Sequence, residues 1–292
     1  MFSLAAFRYR AVLESDGGPI SSVEEGEITI SGRNYSQANA RLRETLVRRK
    51  ERQIYSNADG SGLHPSAMVA RHIAISEALE RWAYYETVHS PKSACYGFHV
   101  DASSNGMAAF PGMSVTTARR AARFEAIERY CLLNWWELRI DGHRRETVWP
   151  GISAVAFTPE AGCVAVILFA KSDRGYYAYG HAAAESFQDA CNRARLELLR
   201  HEWAIGSWIR LGTQRPPEDL FERRSWFFST DAGRASFNER LATRVRRAAP
   251  SMEVLCDAEI PGPWSAYTTV WRYLLRPPSD DFILSDYRYF FW

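Results

Sequence analysis

The sequence predicts an α/β (α+β) fold: a single domain over residues 1–292, with repeated loop–helix units packed on a mixed or antiparallel sheet. Three observations predict it. Long segments carry apolar residues at helical spacing. Three apolar runs in the middle of the chain are separated by the turn sequences TPEAG and KSDRG, which suggests a meander or hairpins. No low-complexity linker divides the chain. With 46% hydrophobic and 24% charged residues, the 292-residue chain has an ordinary globular composition and the length to bury a sizeable core.

Taken in order, Phe7–Val12 and Gly26–Ile30 read as strands around the turn Asp16–Pro19. Gln37 to Ile54 reads as an amphipathic helix, because Ala38, Leu42 and Leu46 share one helical face. SNADGSGLHPS, Ser56 to Ser66, reads as a loop by composition, and a helix follows from Ser66 to Glu86. A second cycle has the small-residue loop DASSNG, Asp101 to Gly106, and a helix from an N-cap at Ser114 to Trp136. The strand-like runs are Ser153–Phe157, Cys163–Ala170 and Tyr176–His181. Helices from Glu185 to Leu211 and Asn238 to Ala248 come next, then strands Met252–Ile260 and Tyr267–Leu275. The tail DYRYFFW is too aromatic to be solvated and is expected to pack.

Composition excludes several classes of function. The 36 basic and 34 acidic residues leave a formal charge of +2, too little to neutralise many phosphates, so a nucleic-acid module is disfavoured. The basic stretches Arg48–Arg52 and Arg240–Arg247 read as solvated helix faces. Only three basic residues, Lys50, Lys92 and Lys171, are lysine. The longest clean apolar run, Cys163–Ala170, is far short of the roughly 20 residues that span a bilayer, and the first residues lack the pattern of a signal peptide; the expected location is cytoplasmic. Five dispersed cysteines with no CxxC pair read as reduced structural residues. His72, His181 and His201 lack the spacing of a metal site and read as structural or surface residues.

The informative feature is a repeat. Glu77-Ala-Leu-Glu80-Arg81-Trp82 and Glu125-Ala-Ile-Glu128-Arg129-Tyr130 share the pattern EA[LI]ER[WY], 48 residues apart. Glutamates at i and i+3 lie on one helix face. Around the first pair, Ile73, Tyr84, Ala70, Ala74 and Ala78 make that face border apolar surface. Four carboxylates brought together repel unless cations lie among them, and hard oxygen ligands suit Mg²⁺, which commonly arrives with a nucleoside triphosphate. Gly60-Ser61-Gly62 and Ser103-Ser104-Asn105-Gly106 have the glycine that lets main-chain N–H groups approach phosphates, although neither is a P-loop.

These residues resemble the YcaO family, ATP-dependent enzymes that modify peptide backbones. The resemblance covers about residues 58–205, with 206–292 as the C-terminal part of the same domain. GSGLHPSAMVARHIAISEALERW is similar to the family's loop and first ExxER helix, SNGMAAFPGMSVTTARRAARFEAIERY to its second, and HAAAESFQDACNRARLELLRHEW to a third helical segment that contributes Glu197. The resemblance implies Glu77, Glu80, Glu125 and Glu128 as Mg²⁺ ligands. It implies Arg81, Arg129, Ser61, Ser104, Asn105 and Glu197 as further nucleotide-binding residues. ATP would phosphorylate a backbone amide oxygen in the maturation of a ribosomally made peptide, forming an azoline (thiazole or oxazole precursor) or a thioamide. Such phosphoryl transfer needs positioning and electrostatics and no protein nucleophile, so no catalytic side chain is assigned. The implied partners are the peptide substrate and a protein that recognises its leader segment, and the family's dimers imply a homodimer.

The sequence departs from the family pattern at four positions. Ser61 replaces the loop lysine, Ile73 a serine, Ala121 a common glutamine and Arg200 a frequent glutamine; the chain also ends without a proline-rich tail. The retained glutamates and arginines favour an enzyme. The lost polar contacts favour a non-hydrolysing scaffold that binds a precursor peptide or a catalytic partner, and both readings stay open at this level.

Overall fold

The computed structural model describes residues 9–30, 32–47, 52–110, 115–211, 216–245, 248 and 251–290. In chain order its strands and helices are β1 (Ile20–Ile30), β2 (Arg33–Leu42), β3 (Gly60–His64), α1 (Ala67–Val88), β4 (Met107–Phe110), α2 (Val115–Trp136), β5 (His143–Glu146), β6 (Ile152–Glu160), β7 (Cys163–Lys171), β8 (Tyr177–Ala184), α3 (Phe187–Arg210), α4 (Leu220–Phe228), α5 (Asp231–Ala242), β9 (Val254–Glu259), β10 (Thr269–Leu275) and α6 (Asp281–Leu284). Three antiparallel sheets with helices make the fold class that of a mixed α/β protein, as the sequence predicts. No helix of the described residues is long and apolar enough to cross a membrane.

The chain forms two compact units, each assembled from separated segments. The first takes residues 1–51, 56–126 and 254–275; the second takes 52–55, 127–253 and 276–292. The boundary at Ala126 and Ile127 falls inside α2.

In the first unit β1, β2 and β3 form one sheet in that order, and β4, β10 and β9 form another. Helix α1 buries Ala70, Ala74, Ala78, Leu79 and Trp82 in a core shared with Ala38, Ala40 and Leu42 of β2. The small residues bring α1 close to the sheet. A Cβ added at Gly60 would lie 2.1 Å from the Ala74 carbonyl oxygen, and one at Gly62 would lie 1.9 Å from that of Ala70. The GSG segment expected as a loop is therefore part of strand β3, where glycine is required for close contact with a helix.

Other expectations also change. Gln37–Leu42 lies in β2, and Glu44–Leu46 is a 3₁₀ turn, so no helix runs through the described part of Gln37–Ile54. The described part of Phe7–Val12 holds a 3₁₀ turn, Tyr9–Ala11, in place of a strand. The helix expected at Asn238–Ala248 is α5, which starts at Asp231 and ends at Ala242. The Ser114 cap, Arg48 to Glu51 of one basic stretch and Arg246 and Arg247 of the other lie outside the described residues.

In the second unit β5, β6, β7 and β8 form the expected antiparallel meander, and α3 packs on β8 and β7. An aromatic cluster of Trp135, Trp136, Tyr179, Phe228, Phe237 and Phe290 fills the core, with neighbouring rings 4.9–6.4 Å apart. Phe290 brings the C-terminal tail into that cluster, as its composition predicts, and is 1% exposed.

Beside the cluster, buried His201 is bonded at both ring nitrogens. Its Nδ1 lies 3.0 Å from the Tyr179 N–H, and its Nε2 lies 3.0 Å from the Ser225 hydroxyl. Burial pushes its pKa from 6.5 down to about 4. A depressed folded-state value means that the unfolded chain binds the proton more readily. The contribution of His201 to stability is thus fully present above pH 6.5 and lost as pH falls through about 4, a change of about 3 kcal/mol. Urea unfolding between pH 7 and 4 should show that loss, with a shallower slope in His201→Gln.

Candidate functional site

The first unit gathers Glu77, Glu80, Arg81 and Glu125. The i and i+3 spacing places both α1 glutamates on one side of the helix. Burial, followed by the charges of Glu125 and Glu77, raises the Glu80 carboxyl well above the usual carboxylate range, opposed by Arg81 and by the Ala109 N–H that donates to it. Burial alone would lower Arg81; the charges of Glu77 and Glu80 outweigh it and hold its guanidinium more firmly protonated. Arg81 Nη2 stands 3.7 Å from Glu77 Oε1. Arg81 is thus the counter-charge of Glu77 and Glu80, while Glu125 acts on the Arg272 guanidinium.

Ser61 orients Glu77. Its N–H donates to Glu77 Oε2 at 2.9 Å, and its hydroxyl donates to Asn39 Oδ1 at 2.7 Å. The expectation that this segment offers its donors to phosphate gives way to a positioning role, because both Ser61 donors are engaged within the fold.

The DASSNG loop is held by Arg272 of β10. Its guanidinium donates to the carbonyls of Tyr96 at 2.7 Å, Asp101 at 2.8 Å, Ser103 at 2.9 Å and Asn105 at 3.4 Å, and lies 3.9 Å from the Phe98 ring centroid. The Ser103 N–H donates to Asp101 Oδ1, and the Asn105 N–H to Ser103 Oγ. Gly106 has φ +69°, and a Cβ there would meet the Tyr273 carbonyl oxygen at 2.0 Å, so the turn demands glycine. Ser104 and Asn105 stand half-buried on this fixed loop.

In the second unit Glu128 and Glu197 have a partner that the sequence did not reveal, His181. His181 Nδ1 lies 2.6 Å from Glu128 Oε1 and 3.3 Å from Glu197 Oε2, while the His181 N–H donates to Glu197 Oε2 at 3.2 Å. Burial lowers the His181 pKa, and the charges of Glu197 and then Glu128 more than offset it, so the net direction is upward. The Glu197 carboxyl is shifted upward, with His181 opposing, and its side chain is 47% exposed. Arg129 is half-buried, and its charge acts against His181 protonation.

The arrangement repeats that of the first unit. The backbone N–H of Ser61 on β3 and that of His181 on β8 each donate to a glutamate 16 residues later. Gly60 lies against Ala74 and Ala78 of α1, and Gly180 against Ala194 and Leu198 of α3. The helix N-caps are Ser66 and Ser186. Every correspondence has a constant offset of 120 residues, and the signal was present in the sequence as glycine, serine and glutamate at matched spacing.

Among the described residues, no group of three or more His, Cys, Asp or Glu side chains already converges to hold a metal ion. No protein-family model and no curated protein matches the sequence. Solved structures do match. YcaO from Methanopyrus kandleri, bound with AMPPCP and Mg²⁺, superposes with a TM-score of 0.58 at 16% identity, covering 98% of this chain and 92% of that one. The Escherichia coli microcin synthetase McbBCD complex with pro-MccB17 bound matches at TM-score 0.54 and 12% identity, over 86% of each chain. The chain has a YcaO-like fold.

Proposed function

We propose that the chain binds Mg-ATP through Glu77, Glu80 and Glu125 and activates a backbone amide oxygen of a peptide by phosphorylation, yielding an azoline or a thioamide. The observation that carries this reading is the desolvated Glu80 carboxyl between the charges of Glu125 and Glu77, with Arg81 as nearby counter-charge. Such a group fits Mg²⁺, which takes one or two protein carboxylates and fills its remaining positions with water and phosphate oxygens, so a closed protein cage is not required. Bound there, Mg-ATP would supply the transferable phosphoryl group and the charge that stabilises its transfer. Ser61 fixes the Glu77 carboxylate, and Arg272 fixes the loop that would offer Ser104 and Asn105 to the phosphates. Glu128, Arg129 and Glu197 are left outside the proposed metal set, because Glu128 and Glu197 face His181.

The similarity to a YcaO bound with AMPPCP and Mg²⁺ and to a microcin synthetase holding its precursor supports the ATP, the peptide and a partner protein in this reading. Isothermal titration should show Mg-dependent ATP binding that weakens by about tenfold or more in Glu77→Gln and in Glu125→Gln. No binding by the native chain at millimolar ATP and Mg²⁺ would overturn it.

A scaffold that holds a peptide or a partner without turnover is the second reading. It is favoured by Ile73, 40% exposed, and by exposed Ala121 and Arg200, where the family resemblance implies polar nucleotide contacts. It requires peptide or partner affinity that survives both glutamine substitutions; pull-down by the variants decides that.

A further inference from the structure

We propose that the His181 ring occupies the place of a divalent ion between Glu128 and Glu197, so that Glu128 is not a metal ligand in this chain. The inference rests on the reading that Glu77, Glu80 and Glu125 take the metal, and it narrows that reading to one carboxylate group.

Geometry carries it. A single imidazole nitrogen lies 2.6 Å from one carboxylate and 3.3 Å from another, within reach of both at once. Glu128 is 8% exposed and the His181 side chain 12%, so a metal would have to displace the ring to reach the Glu128 oxygen it holds. Water competes weakly for a contact so enclosed, and removing one partner would leave the other polar group buried without it.

The repeat supplies an independent comparison. At the matching strand position of the first unit stands Ser61, whose hydroxyl turns to Asn39 Oδ1 and brings no positive charge to Glu77. One unit therefore turns its strand side chain away from the carboxylates, and the other places an imidazole nitrogen between two of them. Other charged and titratable groups facing this cluster are Arg129 and Cys131 on α2 and Arg200 and His201 on α3. None of them supplies a further carboxylate to complete a metal shell.

The test uses Mn²⁺ as the probe on the full chain, with free ion followed by electron paramagnetic resonance. Glu125→Gln should weaken Mn²⁺ binding about tenfold or more, whereas Glu128→Gln should change it by less than about twofold. His181→Ser, which installs the residue found at the matching position, should add one bound Mn²⁺, and Glu128→Gln in that background should remove the gain. His181→Asn, uncharged and closer in size, provides the same readout if the serine variant does not fold. Equal weakening by Glu128→Gln and Glu125→Gln would overturn the proposal, as would the absence of any added ion in both His181 variants. If the native chain binds no Mn²⁺, the assignment of metal to the first unit fails, while the gain on replacing His181 still decides the role of that ring.

Discussion

Gly180→Ala is expected to lower stability by about 3 kcal/mol or more, and Gly60→Ala by a similar amount. The reason is the character of what the new methyl group meets. At Gly180 it would lie 2.2 Å from the Ala194 carbonyl oxygen and 2.3 Å from the Leu198 nitrogen, and at Gly60 2.1 Å from Ala74 O and 2.5 Å from Ala78 N. These are main-chain atoms of helices α3 and α1, so no rotamer change relieves the overlap. Strand and helix would have to separate, opening gaps in a close-packed interior. The displaced strand residues are Ser61 and His181, so the hydrogen bonds to Glu77 and Glu197 would lengthen with them. Gly26, whose added Cβ meets nothing within 4 Å, is the control: Gly26→Ala should stay within about 0.5 kcal/mol. Urea unfolding followed by tryptophan fluorescence measures all three.

Replacing Glu222 with alanine should cost about 3 to 5 kcal/mol. Its carboxylate, on a residue 2% exposed, accepts the N–H groups of Gln53 and Ile54 at 2.9 Å and of Tyr55 at 3.0 Å. Alanine would leave these three donors without their acceptor, and a buried donor without a partner bears the full cost of desolvation. Glu222→Gln should cost less, because one amide oxygen still accepts while the NH₂ group opposes the remaining donors. Limited proteolysis gives a second readout: in Glu222→Ala, cleavage near residues 52–55 should appear at protease levels that leave the native chain intact. Protection equal to the native chain would show that other contacts hold the segment.

The helices were legible because their signals are local. Caps, apolar periodicity and the ExxER pairs located α1, α2 and α3 within two residues at most of their ends. Segment 37–42 misled for a numerical reason: Ala38, Leu42 and Leu46 are four apart, and four fits one turn of helix as well as two steps of strand. Ala40, also buried, is the residue that separates the two, since a helix would place it on the other side. The GSG segment failed differently. Glycine signals turns in general, but here it marks close approach to α1, which depends on a helix not yet formed when the strand is read. The fold-level resemblance followed from the repeated motif, which also led to the expectation of four grouped glutamates, Glu77, Glu80, Glu125 and Glu128. The pairing of His181 with Glu128 did not, because the two residues are 53 apart and neither has a local pattern that names the other.

The interrupted path of the first unit has a consequence for its synthesis. Strand β4, whose Ala109 N–H reaches Glu80, pairs with β10, and the Arg272 clamp on the DASSNG loop also comes from β10. A nascent chain that has already made α1 and β4 must wait for residues 269–275 to leave the ribosome. At about 5–20 residues per second the wait is on the order of 10–30 s. Throughout that interval the carboxylates of α1 lack their final surroundings, which are completed only after β10 has emerged.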